Sequence, residues 1–129
     1  MYYLYSKLPY FSIFAVCFIL HVIADFSLQG LLANLKQKEW WENNHPASLY
    51  RNDYIAAGVI HAFFWSLLTF LPLAMTNFYG WAVVINTPIH YLVDNLKANK
   101  KCLSLTFDQM LHFGQIMLTL DFFFSLYIK

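Results

Sequence analysis

Charge is what this sequence has least of. Asp, Glu, Lys and Arg make up 12% of its 129 residues, about half the fraction usual in soluble globular chains. With 60% of residues hydrophobic, a water-facing globular surface is not the expectation. Lys and Arg are few and sit at loop ends, and the net charge is +1, so no basic stripe is offered to nucleic acid. The two cysteines, Cys17 in the first apolar run and Cys102 in a loop, fall at different depths and make no disulfide scaffold. The sequence also has no Gly-rich phosphate loop, no Gly-x-Ser-x-Gly and no low-complexity tract.

What is present is apolar and aromatic. The 13 Phe, 9 Tyr and 4 Trp suit wide lipid and interfacial contact. Four apolar runs approach the roughly 20 residues that cross a bilayer. The length fits one domain, so the expected fold is all-α, an integral membrane four-helix transmembrane bundle over 1–129. Its helices fall at about 9–35, 54–75, 80–96 and 104–127. Pro9 suits a first helical turn. The polar stretch 36–53 reads as a loop in which Trp40 and Trp41 lie at headgroup level, with room for a short interfacial helix. Asn52 or Asp53 is the expected N-cap of the second helix, and Pro72 falls in its last turn. Pro88 frees a backbone carbonyl one turn earlier and is expected to bend the third helix near its histidine. Ser104 or Thr106 starts the fourth.

The N-terminus invites a signal-peptide reading, with Lys7 ahead of an apolar stretch. The run is too long and lacks a small-x-small cleavage site before Asp25, so a retained helix is expected. Loops 36–53 and 97–101 carry Lys36, Lys38, Arg51, Lys97, Lys100 and Lys101, against Lys7 and Lys129 at the termini. The positive-inside rule makes both loops cytoplasmic and both termini external.

Against this background the ionisable residues stand out. His21 and Asp25 are four apart, as are His90 and Asp94, and Asp108 and His112 repeat the spacing reversed. Four residues complete about one turn, so each pair lies on one helix face. His61 adds an imidazole from a fourth run, and Gln29 continues the first stripe. An aspartate at the centre of a membrane helix costs about 2.5–3.5 kcal/mol on insertion scales. Counted from the helix ends, all these groups fall at one level inside the cytoplasmic leaflet, whereas Asp121 lies at the opposite end.

The pattern points to a metal site with His21, Asp25, His61, His90, Asp94, Asp108 and His112 as the ligand pool. Imidazole and carboxylate suit zinc, manganese or iron, with zinc favoured, and no motif cysteine is present. The pool exceeds one tetrahedral ion, so either two ions share it or some groups act behind the ligands. Such a site can activate water and polarise an ester or phosphoester. Asp25 and Asp108 are both candidates for the carboxylate that takes the proton. Lys97, with Gln29 and Gln109, is a candidate for binding an anionic substrate, against a snorkelling role for Lys97 and helix cross-linking for the glutamines. Two other readings stay open: a hydrogen-bonded polar core holding the bundle together, and a proton or ion path. His45 is expected to be a solvated loop histidine, and Tyr10 and Tyr91 interfacial anchors.

The ordered motifs His21-x-x-x-Asp25-Phe26-x-x-Gln29, lone His61, His90-x-x-x-Asp94-x-x-Lys97 and Asp108-Gln109-x-x-His112 resemble a family of small bacterial and phage membrane proteins of unknown function. The likeness spans nearly the whole chain. The expected localisation is the bacterial inner membrane, multi-pass, with membrane lipids as partners and a lipid-like substrate and a second copy of the chain as candidate ones. More distantly the sequence is similar to the membrane-bound metal-dependent hydrolases, but it opens with His-x-x-x-Asp where that family has a small residue after the histidine. The resemblance implies a membrane metalloprotein, and the depth of the cluster, just inside the cytoplasmic leaflet where a headgroup can reach it, makes metal-dependent hydrolysis of a lipid-linked or membrane-proximal ester or phosphoester the expected function. The rival is a non-enzymatic membrane protein that binds a host membrane partner.

Overall fold

The computed structural model describes residues 10–127; Lys7, Pro9 and Lys129 lie outside the described residues. These residues are helical without a strand among them. Helix α1 spans Tyr10–Val22 and continues as a π turn over Ile23–Ser27. Two short helices follow, α2 at Leu32–Leu35 and α3 at Lys38–Asn44. Three long ones complete the chain: α4 at Asp53–Thr69, α5 at Phe78–Ala98 and α6 at Leu105–Tyr127. Helix α1 packs on α4 and α6, α4 on α5, and α5 on α6, so the four long helices close a ring.

The expected helix over 9–35 is corrected: it breaks between Ser27 and Leu32. Gly30 adopts a φ of 43°, a left-handed conformation that glycine enters without a Cβ clash. The second helix ends at Thr69 rather than near 75, and Leu71–Leu73 forms a 3-10 turn. Pro72 has no N–H to bond back to the Leu68 carbonyl, so the α pattern cannot pass it. Helix α5 starts two residues earlier than expected and runs through Pro88 to Ala98. Asn52 occupies the N-cap of α4 without a side-chain bond to it. Ser104 does cap α6, its Oγ accepting from the Phe107 N–H at 3.2 Å.

The 36–53 stretch is more structured than a loop. Helix α3 carries Trp40 and Trp41, and His45 packs against both and against Tyr50. The two polar connections meet. Asn99 accepts from the Lys38 N–H at 2.7 Å and donates to the Lys36 carbonyl at 3.1 Å. Lys101 pairs with Glu39 at 2.7 Å.

Many large apolar side chains face outward while the ionisable ones of the motifs are buried. Phe63, Phe64, Trp81, Val84, Ile85, Leu92, Phe107, Met110, Leu118 and Phe122 are exposed, while His21, Asp25, His61, Asn86, His90, Asp94, Asp108 and His112 are buried. An apolar cluster packs around Trp65, Phe70, Leu73, Ile116, Leu120 and Phe123. Within it, Gln115 donates to the Asn86 carbonyl at 3.0 Å and ties α6 to α5. Among the described residues, one helical stretch, Tyr10–Ser27, is long and apolar enough by length and composition to cross a membrane. Helices α5 and α6 are long enough, at about 31 and 34 Å by an α-helical rise, but their buried polar residues lower their average.

Candidate metal centre

Each long helix brings at least one group to a common point. Asp25 comes from the π turn after α1, where the Leu28 N–H bonds back five residues to the Ile23 carbonyl at 3.0 Å. Such turns insert an extra residue and concentrate at functional sites. His61 lies about two turns into α4, His90 and Asp94 in the last turns of α5, and Asp108 and His112 in the first turns of α6. The cluster therefore sits at the end of the bundle that carries the two polar connections.

The donor atoms form two overlapping sets. Asp25, His61, His90 and Asp94 make one and Asp25, Asp108 and His112 the other, with one ligand atom of each residue within 4.8 Å of its fellows. Asp25 belongs to both. The finer spacing is informative, because two donors about 2.1 Å from a tetrahedral ion stand about 3.4 Å apart. His61 Nε2 lies 3.4 Å from Asp25 Oδ1, 3.3 Å from Asp94 Oδ2 and 3.3 Å from His90 Nε2. His112 Nε2 lies 3.4 Å from Asp108 Oδ1. Wider edges occur at His90 Nε2–Asp94 Oδ2, 3.8 Å, and His112 Nε2–Asp94 Oδ1, 3.7 Å. Asp108 Oδ1 and His112 Nε2 are both buried without a hydrogen-bond partner. With the His112 proton on Nδ1, facing His90 Nδ1 at 3.2 Å, an ion between them would satisfy two acceptors that buried protein otherwise leaves costly. The residues present therefore fit a divalent transition metal.

His21 reaches the cluster in a different role. The Trp65 indole N–H donates to His21 Nδ1 at 2.8 Å. An indole can only donate, so Nδ1 accepts and the proton sits on Nε2. That proton points at Gln109 Oε1, 3.0 Å away. The Gln109 amide then donates to Asp25 Oδ2 and Asp108 Oδ2, each at 3.0 Å. Both ring nitrogens of His21 are thus used up, and it holds carboxylates in place through Gln109 rather than offering a lone pair to an ion.

Two lysines stand behind the carboxylates. Lys36 Nζ is 2.5 Å from Asp94 Oδ2, and Lys97 Nζ is 2.6 Å from Asp108 Oδ2. Lys97, expected to meet an anionic substrate, is engaged with a ligand carboxylate, and Gln29 donates to the Asp25 carbonyl. Sequence reasoning missed Lys36 and Trp65. Trp65 stacks on His90 at 4.0 Å and lies four residues after His61, a one-turn spacing that could have flagged it. Lys36 gave no such signal, because the break at Gly30 cancels helical spacing from Asp25. His45 and Asp121 stand outside the cluster.

Comparison with curated proteins and with solved structures gives no match. A family model does match, over residues 13–128. The chain belongs to the family described as Protein of unknown function (DUF3307).

Proposed function

We propose that this protein is a membrane-embedded metalloprotein, with zinc as the favoured ion, that hydrolyses a lipid-linked or membrane-proximal ester or phosphoester. The metal reading is carried by the spacing of His61 Nε2 to three other donors at 3.3–3.4 Å. The membrane reading is supported by the burial pattern: apolar side chains outward on all four long helices, ionisable ones inward. In lipid the four long helices are a transmembrane bundle, with α3 and the 97–101 turn at the cytoplasmic face.

An ion in the cluster supplies an activated water and polarises the scissile bond. The chain's own residues do the rest. Asp25, shared by both donor sets, holds them in register. Asp108 is steadied at Oδ2 by Lys97 and Gln109, and with one ion held by the Asp25, His61, His90 and Asp94 set its Oδ1 stays unligated and accepts the proton released as water attacks. The new bond joins the water oxygen to carbon or phosphorus, the bond to the leaving alcohol breaks, and that proton passes to the departing oxygen. Burial against Trp65 and the apolar cluster keeps bulk water away and strengthens the local field.

The rival reading is a non-enzymatic polar core. It is favoured by the two lysine–carboxylate pairs, which neutralise Asp94 and Asp108 without an ion. The discriminating experiment screens the folded, inserted protein against a bacterial lipid extract, beside His90→Ala/Asp94→Ala. A hydrolase turns over a component in a metal-dependent way and the variant does not. Equal behaviour of the two proteins removes the hydrolase reading.

A further inference from the structure

We propose that the pocket between the metal ligands and the polar connections binds a phosphate group, and that it does so only when the metal centre is loaded; this rests on the metal reading above. The pocket has a volume of about 310 Å³ and is lined by Gln29, Lys36, Gln37, Asp94, Lys97 and Lys101. Its floor is Asp94, a member of the first donor set, so an anion in it lies directly against the centre. Its cations come from three separate places: Lys36 after α2, Lys97 near the end of α5 and Lys101 in the following turn. Lys36 and Lys97 are partly withdrawn from water, with side chains 13% and 34% exposed.

Charge decides the class of ligand. Three carboxylates (Asp25, Asp94, Asp108) face two ammonium groups (Lys36, Lys97), which leaves one net negative charge with neutral imidazoles. One divalent ion reverses this to one net positive charge, and two ions raise it to three. A loaded centre in a low-dielectric bundle thus calls for an anion more strongly than the metal-free one. An ion shared with the Asp94 and Asp108 carboxylates would draw off part of their negative charge and so loosen their hold on Lys36 and Lys97. Donors arriving from several directions suit a tetrahedral phosphate better than a planar carboxylate, and lysine serves phosphate as a point charge. Gln29 Oε1, buried without a partner, adds an acceptor for a protonated phosphate oxygen. Coupling of this kind is reciprocal, so phosphate must tighten the metal as the metal tightens phosphate.

The test uses the full chain in detergent and radiolabelled inorganic phosphate in equilibrium dialysis, with and without loaded zinc. Phosphate should bind the zinc form at least about tenfold more tightly, the scale of one charge-assisted hydrogen bond. Lys101→Gln should lose about tenfold in phosphate affinity, and Lys101→Arg should retain it, with zinc content unchanged in both, because Lys101 lines the pocket but pairs with Glu39 and not with a metal-set carboxylate. Repeating the assay in phosphatidylcholine nanodiscs with and without phosphatidic acid identifies the source. Displacement by phosphatidic acid makes the ligand a lipid headgroup; retention makes it a free phosphoryl compound. Full zinc content with phosphate binding that is absent, or equal with and without zinc, overturns the pocket and leaves the metal centre standing. A chain that takes up no zinc overturns the metal reading itself.

Discussion

The Trp65 indole N–H donates to Nδ1 of His21 at 2.8 Å, and this one bond sets the direction of a chain of donors that ends on two aspartates. His21 Nε2–H, the Gln109 amide, and the carboxylates of Asp25 and Asp108 follow in sequence. No other proton arrangement lets an indole take part. The Asp25 and Asp108 carboxylates are therefore oriented by groups outside the two candidate donor sets.

Trp65→Phe keeps the ring that stacks on His90 but removes the donor. Metal affinity should fall about 10- to 100-fold, as for other groups that orient metal ligands, while the thermal midpoint in detergent moves little. A chelator-competition titration measures this. An unchanged affinity would separate His21 from the centre.

The all-helical fold, its four long helices and the gathering of the buried His–Asp pairs at one end were legible in the sequence, because one-turn His–Asp pairs survive any small error in helix boundaries. His90 with Asp94 and Asp108 with His112 needed only that α5 and α6 be helical. What failed depended on backbone departures. The π turn at Ile23–Ser27 and the reversal at Gly30 have no hydrophobic period of their own, so the run to Leu35 read as one helix. The role of His21 was hidden for another reason. A histidine that ligates and one that orients a ligand have the same sequence spacing, and only the position of Trp65 separates them.

Gly58 marks the closest approach of α4 to the Tyr91 ring. A Cβ there would stand 2.8 Å from Tyr91 Cε2. Gly58→Ala should destabilise the bundle by about 1–3 kcal/mol, the usual scale of overpacking. Adding Tyr91→Ala should recover most of that loss by thermal unfolding. Failure of the second change to help would place the strain elsewhere.

The Lys101–Glu39 pair joins the two connections at the surface. The Lys101 ammonium holds the Glu39 carboxyl below its ordinary range, and Glu39 raises Lys101 in return. A lowered carboxyl contributes above its unfolded value and loses that contribution as pH falls through the folded one. The raised amine contributes below its unfolded value and loses its part as pH rises through the folded one. Hydrogen exchange over 97–101 should therefore show least local opening, after correction for intrinsic rates, across the neutral range. Both side chains are exposed, so Glu39→Gln should leave the global midpoint unchanged.

Orientation is open to labelling. In a chain with Cys102 replaced by Ser, single cysteines at Asn44 and Lys100 should resist a membrane-impermeant thiol reagent in intact cells and react in inverted vesicles. Cys17 is buried and should stay silent in both. Reaction of either site from outside reverses the topology.

The metal content of gently purified protein tests the central claim most directly. Elemental analysis should find about one to two equivalents of a transition metal per chain, chiefly zinc, and His90→Ala/Asp94→Ala should lose it while remaining folded. Less than about a tenth of an equivalent of any such metal, both as purified and after reconstitution, would contradict the metal centre and leave a hydrogen-bonded polar core in its place.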